Sequence, residues 1–272
     1  MRVLALDFDG VISDSAPECF VVALRAYLEL CQDAGWGAGG GAISQSLAEV
    51  STAPGPTPDR VRTLPCYQRF LELMPLGNRA EDFAVALRAI DADAEVVDQR
   101  GYDRFKARLS RDFLAAFHER FYAQRIAWSE ADPEAWNAMT RPYPEFLALL
   151  RRRAGDSVLA LATAKDRRSV GILLRHYGAA DLFADELLLD KEAGVSKRAH
   201  LQALRARTSC QFDDITFVDD KVNHLDDVVS LGVRCALAAW GYNSQREQRQ
   251  AQRRGHLVCT LENAETVLFP NS

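Results

Sequence analysis

Short apolar runs recur along the chain, and each ends in polar or glycine-containing residues. The first is RVLALD, with Val3 to Leu6 apolar, and the second is SVLALAT, Ser157 to Thr163. A weaker third, ADELLLD, is followed by DITFVDD (Asp214 to Asp220), VRCALAAWG (Val233 to Gly241) and HLVCTL near the C-terminus. Unbroken runs, rather than strict alternation, are what strands covered on both faces require. Helical patterns separate them. DRRSVGILLRHYG carries Val170, Leu173, Leu174 and Tyr177 on one stripe and ends at Gly178, a C-terminal cap residue type. SKRAHLQALRAR opens on Ser196 as N-cap, and KVNHLDDVVSLG runs to Gly232. Strand alternating with helix predicts a parallel sheet flanked by helices from about Arg141 onward.

The stretch from Ala16 to Thr140 has a different pattern, with few strand signals. PECFVVALRAYLEL reads as a strongly amphipathic helix. PDRVRTLPCYQRFLELM, AEDFAVALRAI and YDRFKARLSRDFLAAFHERFYAQR read as further helical stretches. A Gly/Ala-rich loop, AGWGAGGGAIS, and a Pro-rich one, TAPGPTP, punctuate them. No repeat period is visible. The expected class is therefore α/β: a Rossmann-like parallel-sheet core from residues 1–15 and 141–272, with a helical insertion at 16–140. DSAP and RPYP mark the two crossings as candidate hinges.

A chain of 272 residues with 48% apolar and 26% charged residues has an ordinary globular composition, and it is long enough for two modest domains. The net charge of −5 argues against a nucleic-acid partner, which wants a basic surface. The six cysteines show no metal or disulfide spacing, which predicts reduced, partly buried thiols. No apolar stretch is long enough for a bilayer, so no membrane partner and a cytoplasmic location are expected.

The ends of the apolar runs carry the candidate chemistry. In a parallel sheet, ligands bind beyond the carboxyl ends of the strands. Asp7 and Asp9 follow the first run, Thr163 the second, and Asp219 and Asp220 the DITFV run. Carboxylates gathered there disfavour joint ionisation unless a cation sits among them, and an all-oxygen set suits Mg²⁺. Lys197 and Lys165 stand at the starts of helices, whose N-termini attract anions. Acids, cation, hydroxyl and lysines together describe a phosphate pocket, to which Gly10, Thr163, Ala164 and Lys165 contribute.

These residues resemble the signatures of the haloacid dehalogenase-like superfamily of hydrolases. DFDGVISDS is similar to the first signature, LALATAKD to the second, Lys197 to the third and FVDDK to the acidic fourth. The motifs fall in the family's order and cover roughly half the chain. The insertion occupies the position of a C1-type helical cap. The resemblance implies a phosphatase that hydrolyses a small phosphorylated metabolite. Asp7 would be the nucleophile, forming an aspartyl-phosphate, and Asp9 the general acid and then the base. Thr163 and Lys197 would hold the phosphate. Asp7, the Asp9 carbonyl and Asp220 would bind Mg²⁺, with Asp219 as a further candidate ligand. The alternatives are a phosphomutase on the same scaffold and a non-catalytic binding module. The sequence departs from the family at two places. Asp219 replaces a common glycine, and His224 replaces a later acid, which makes Asp220 the preferred ligand and His224 a supporting residue. Ala164 stands where an asparagine is common.

Plainer roles compete with these. Thr163 is also a helix-cap residue type, Asp219 an acceptor for backbone N–H groups, and Lys191 an alternative to Lys197. Phe113, Phe117, Phe121 and Tyr122 recur at helical spacing, which predicts core packing. Arg151 to Arg153 read as a solvated helix end. Arg79, in the loop PLGNRAEDF of the insertion, is the candidate polar contact to a substrate.

Overall fold

The structure, a computed structural model, describes residues 1–33, 42–51, 56–77, 79–194 and 196–270. Most of the Gly/Ala-rich loop and of the Pro-rich loop expected from the sequence lie outside the described residues. The chain divides into two compact units, Met1–Asp14 with Arg141–Ser272, and Ser15–Thr140.

The first unit is built on a six-stranded parallel sheet in which all six apolar runs become strands. These are β1 (Val3–Leu6), β4 (Val158–Ala162), β5 (Leu188–Leu189), β6 (Ile215–Asp219), β7 (Arg234–Ala238) and β8 (Leu257–Cys259). Two further short strands, β2 (Ser13–Asp14) and β3 (Arg141–Pro142), pair with each other antiparallel. The large sheet has the order β5-β4-β1-β6-β7-β8. The strands β4 and β6, distant in sequence, therefore flank β1. Leu6 is in register with Leu161 on one side and Val218 on the other. The next residue along each strand, Asp7, Ala162 or Asp219, stands at the same edge. The strand order reverses at β1, and such a switch point is where a ligand crevice opens in this architecture.

Every side chain of β1 is buried, which explains its uninterrupted apolar run. Val3 and Ala5 face a core formed with Leu201, Leu204, Leu225 and Val228, while Leu4 and Leu6 point to the opposite face and are equally enclosed. The predicted helices form as Arg167–His176, Lys197–Thr208 and Val222–Val229. Ser196 caps the second, accepting from the Ala199 amide at 3.2 Å, and Gly178 ends the first region at φ +62°. All six cysteines are buried thiols. No described helix is long and apolar enough to cross a membrane.

The second unit is helical among its described residues. Its longest elements are Ala16–Asp33, Ala80–Asp91 and Arg111–Ala131. Two of the expected helical stretches are interrupted. The stretch from Pro58 to Met74 is not one helix, since Pro65 lacks a donor N–H and starts a new one, Pro65–Leu73. The stretch beginning at Tyr102 also breaks, because the Ser110 hydroxyl caps a fresh helix by accepting from the Phe113 amide at 3.1 Å. Phe117 and Phe121 are buried as expected, whereas Phe113 and Tyr122 are half-buried. Phe20, Tyr67, Phe70 and Phe83 extend this aromatic core, with neighbouring rings 5.3 to 5.4 Å apart.

An ion pair crosses this apolar interior. Arg125 donates two bonds of 2.7 Å to the fully buried Glu18 carboxylate, and the Trp136 indole N–H adds a third at 3.0 Å. Removing one member of such a pair leaves a buried charge without compensation. Glu18→Ala is expected to lower stability by about 3–5 kcal/mol, read as a shift of the urea midpoint at unchanged slope. A loss below about 1 kcal/mol would show that the Arg125 guanidinium reaches water when released.

Candidate active site

The chain turns sharply after β1. The Asp7 amide still completes the sheet, donating to Val218 O at 2.9 Å. One residue later the Phe8 carbonyl accepts from the amides of Val11, Ile12 and Ser13 at 3.3, 2.9 and 3.0 Å, which winds the chain into a single tight turn. Gly10 lies in that turn at φ +78°, and a Cβ there would come within 2.6 Å of Asp220 Oδ2. Backbone conformation and space thus both demand glycine. The turn leaves Asp9 beside Asp7 but pointing into a different environment.

Asp7 stands in a buried cluster. Lys197 Nζ lies 2.8 Å from its Oδ2, 3.2 Å from Asp219 Oδ2, and 2.7 Å from the Ala162 carbonyl that accepts from it. Lys191, the alternative to Lys197, is exposed. Burial pushes the Asp7 carboxyl above the usual carboxylate range, only partly offset by the Lys197 charge, and the neighbouring Asp219 adds to the rise. Burial acts on Asp219 in the same direction, but His224, Lys197 and the Lys221 amide together hold it well below. Burial would depress Lys197, yet the two carboxylates overcome it and raise the ammonium. One lysine therefore holds two acids from adjacent strands.

Asp219 is fully engaged. Its oxygens accept from Lys197, from the Lys221 amide at 2.9 Å and from His224 Nδ1 at 3.0 and 3.1 Å. Its role thus exceeds that of a backbone acceptor, and His224 supports it. Asp220 differs. Its Oδ2 accepts from the Tyr242 amide at 2.8 Å, while its Oδ1 is buried with no hydrogen-bond partner among the described residues. Burial, together with the charges of Asp219 and Asp7, pushes the Asp220 carboxyl up to about 7, against the opposing pull of Lys221. Asp7, Asp219 and His224 each offer a ligand atom within 4.8 Å of the others. That set and the orphaned Asp220 oxygen compete as ligands. The orphan is the better donor, because the Asp219 lone pairs are already taken. An unpaired buried carboxylate oxygen beside further acids fits a hard divalent cation.

The loop after β7 went unnoticed in the sequence pattern. Besides the Tyr242 amide, the Asn243 side-chain amide donates to Asp220 O at 3.2 Å and to Ala238 O at 2.8 Å. Gly241 packs so closely that a Cβ would meet Asp220 Cβ and Gly10 O at 2.4 Å. The signal available was the Gly-Tyr-Asn triplet at the end of an apolar strand, a turn marker in the right place.

Thr163, buried at the end of β4, donates its amide to Leu189 O at 2.8 Å, and its Oγ1 accepts from the Lys165 amide at 3.2 Å. Asp166, rather than Thr163, caps the following helix, accepting from Ser169 N at 2.8 Å. Ala164 is exposed. Lys165 is buried, with Nζ 3.1 Å from Asp9 Oδ1. Asp7, Asp9, Gly10, Thr163, Lys165, Lys197, Asp219 and Asp220 are thus all at the carboxyl edge of the sheet. Arg79 belongs to the other unit, exposed at the start of helix Ala80–Asp91, where its amide donates to Asp82 Oδ2 at 3.2 Å.

A parallel sheet with this order is a Rossmann-like α/β scaffold, here with an acidic apex, and structural comparison makes it specific. The chain has the haloacid dehalogenase-like fold. It is similar to a predicted phosphoglycolate phosphatase from Haemophilus somnus, with 18% identity over 98% of both chains and a TM-score of 0.62. A protein from Lactobacillus delbrueckii, assigned as phosphoglycolate phosphatase, matches over 100% of both chains at 13% identity and a TM-score of 0.67. A hydrolase of this family from Deinococcus radiodurans, whose structure holds phosphate and sodium, matches 98% of this chain and 95% of its own at 15% identity, with a TM-score of 0.53. No protein-family profile and no curated protein matches the sequence itself.

Two outcomes follow from the packing around Asp220. Gly241→Ala forces a methyl into Asp220 and Gly10 O and should cost about 1–3 kcal/mol in thermal unfolding, whereas Gly155→Ala, where a Cβ meets nothing, should be near neutral. With chelator present, stability should fall as pH rises. A carboxyl at about 7 when folded and near 3.9 when unfolded binds an extra proton in the native state, so stability present below pH ~4 is lost through pH 7. Asp220→Asn should flatten that slope. An unchanged slope would show that Asp220 ionises at its ordinary pH.

Proposed function

We propose that this chain is a Mg²⁺-dependent phosphatase that hydrolyses a small phosphate monoester through an aspartyl-phosphate. The observation that carries this reading is the Asp7 carboxylate, buried at a strand end and held by Lys197 at 2.8 Å, with the orphaned Asp220 oxygen in the same acidic cluster. The fold is shared with proteins named as phosphatases, which supports the class of reaction.

In this reading Asp7 Oδ attacks phosphorus as the ester P–O bond breaks, and Lys197 orients the nucleophile and neutralises charge on the phosphoryl oxygens. The Thr163 hydroxyl donates to one of those oxygens. Asp9 protonates the departing alkoxide and then takes a proton from the water that cleaves the aspartyl-phosphate. Asp7, the Asp9 carbonyl and Asp220 would hold the cation, which when bound screens the repulsion between anionic nucleophile and anionic ester. Asp219, already engaged, serves to fix Lys197. Domain roles follow: the sheet unit carries the chemistry, and the helical unit, as a cap, selects the ester, with Arg79 its first residue to test. A cytoplasmic location fits a soluble metabolite as substrate. The names of two structural neighbours make 2-phosphoglycolate the first ester to assay.

Asp7→Asn should lower phosphate release by at least about a thousandfold. Chelation should abolish wild-type turnover and added Mg²⁺ should restore it. Independently of turnover, Mg²⁺ should raise the melting temperature of the wild type and leave that of Asp220→Asn unmoved. Return of the phosphoryl group to another hydroxyl, without free phosphate, would make the chain a mutase instead. Full activity of Asp7→Asn would remove the nucleophile from this account.

A further inference from the structure

Lys165, buried at the same edge of the sheet, has no place in that sequence of steps. Its ammonium lies 3.1 and 3.4 Å from the two oxygens of Asp9. The Lys165 side chain is 1% exposed, whereas that of Asp9 is 27% exposed. A lysine that reads an incoming ester needs its ammonium at the solvent edge. Here the cation is enclosed and the acid is the member that reaches outward. The lysine is also anchored through its backbone. Its amide donates to Thr163 Oγ1 at 3.2 Å, and its carbonyl accepts from the Lys191 amide at 3.4 Å. Its Nζ lies 5.9 Å from the centre of the Phe8 ring, between Asp7 and Asp9 in sequence. The ammonium therefore stands on a rigid shelf made by the ends of β1 and β4.

We propose that Lys165 is a positioning residue for Asp9: its ammonium locks the carboxyl rotamer through contacts of 3.1 Å to Oδ1 and 3.4 Å to Oδ2, so that the more loosely held oxygen is the outward one, presented to the ester oxygen. This deepens the phosphatase reading and rests on it. In the first step the Asp7–O–P bond forms, the ester P–O bond breaks, and the proton on the outward Asp9 oxygen passes to the departing oxygen. In the second, that Asp9 oxygen takes a proton from water, whose oxygen bonds to phosphorus as the Asp7–O–P bond breaks and phosphate leaves. Both transfers need the same oxygen in the same place, and a free carboxyl on a two-torsion side chain would sample others. The device also explains why a residue beside Thr163 is cationic yet buried.

The test compares two esters that differ in their need for a proton. Phenyl phosphate releases a poor leaving group, and 4-nitrophenyl phosphate a good one. Lys165→Met should lower kcat for phenyl phosphate roughly ten to a hundredfold more than for 4-nitrophenyl phosphate, with KM little changed, since positioned acid catalysis is worth about 10²–10⁴. Lys165→Arg, which keeps a cation within reach, should recover part of the loss. Asp9→Asn should show the same leaving-group bias, and adding Lys165→Met to it should cost little more. Equal losses on both esters, or a raised KM with kcat intact, would make Lys165 a substrate contact and overturn the proposal. Lys165→Gln carries the same comparison if the methionine variant does not fold. If the wild type turns over neither ester, the phosphatase reading falls and this one falls with it. Turnover by the wild type without the bias overturns this one alone.

Discussion

The Lys197 ammonium is the interaction on which the site depends. It lies within 3.2 Å of two buried carboxylates that belong to neighbouring strands, and it also caps the Ala162 carbonyl at the end of a third. Without a cation there, burying Asp7 beside Asp219 would place like charges in a low dielectric, and one or both would take up protons. With it, three strands from distant parts of the sequence are tied together at their carboxyl edge. The cost of desolvating each charge is offset only because every partner is held by backbone that is already ordered.

Around that tie the acids divide their labour by environment. Asp219 is saturated and held ionised. Asp220 is enclosed by two glycines and a backbone amide, with one oxygen left over. Asp9 sits on the turn beyond, partly open to water and paired with a different lysine. Identical side chains thus present an anchor, an open acceptor and a partly exposed acid, and the difference is made by neighbours rather than by the residues themselves.

Much of this was legible in the sequence, for a physical reason. A strand buried on both faces has no alternative to an unbroken apolar run, so all six strands could be read directly, down to the two-residue β5. Acids placed immediately after such runs fall at one edge of a parallel sheet, which brought Asp7, Asp219 and Asp220 to the same place on paper. What could not be read is tertiary. The Gly241–Asn243 loop looks like any turn until it is found packed on Asp220. The Glu18–Arg125–Trp136 network is invisible because a buried arginine on a helix has the same spacing as an exposed one. The helix breaks at Pro65 and Ser110 carry local signals, a proline and a capping hydroxyl, set between periodic apolar residues that fix the helical character but not its interruptions. The partner of Lys165 was likewise undetermined, since Asp9 lies more than a hundred and fifty residues away.

The short ladder of β2 with β3 has an evolutionary corollary. Ser13 pairs with Pro142 and Asp14 with Arg141, so the chain leaves the sheet unit and re-enters it through adjoining threads. An excursion whose two ends are already fastened side by side can be lengthened, shortened or exchanged wholesale without asking the sheet to move. Such a junction lets the inserted stretch vary over a lineage while the sheet and its acidic edge stay as they are.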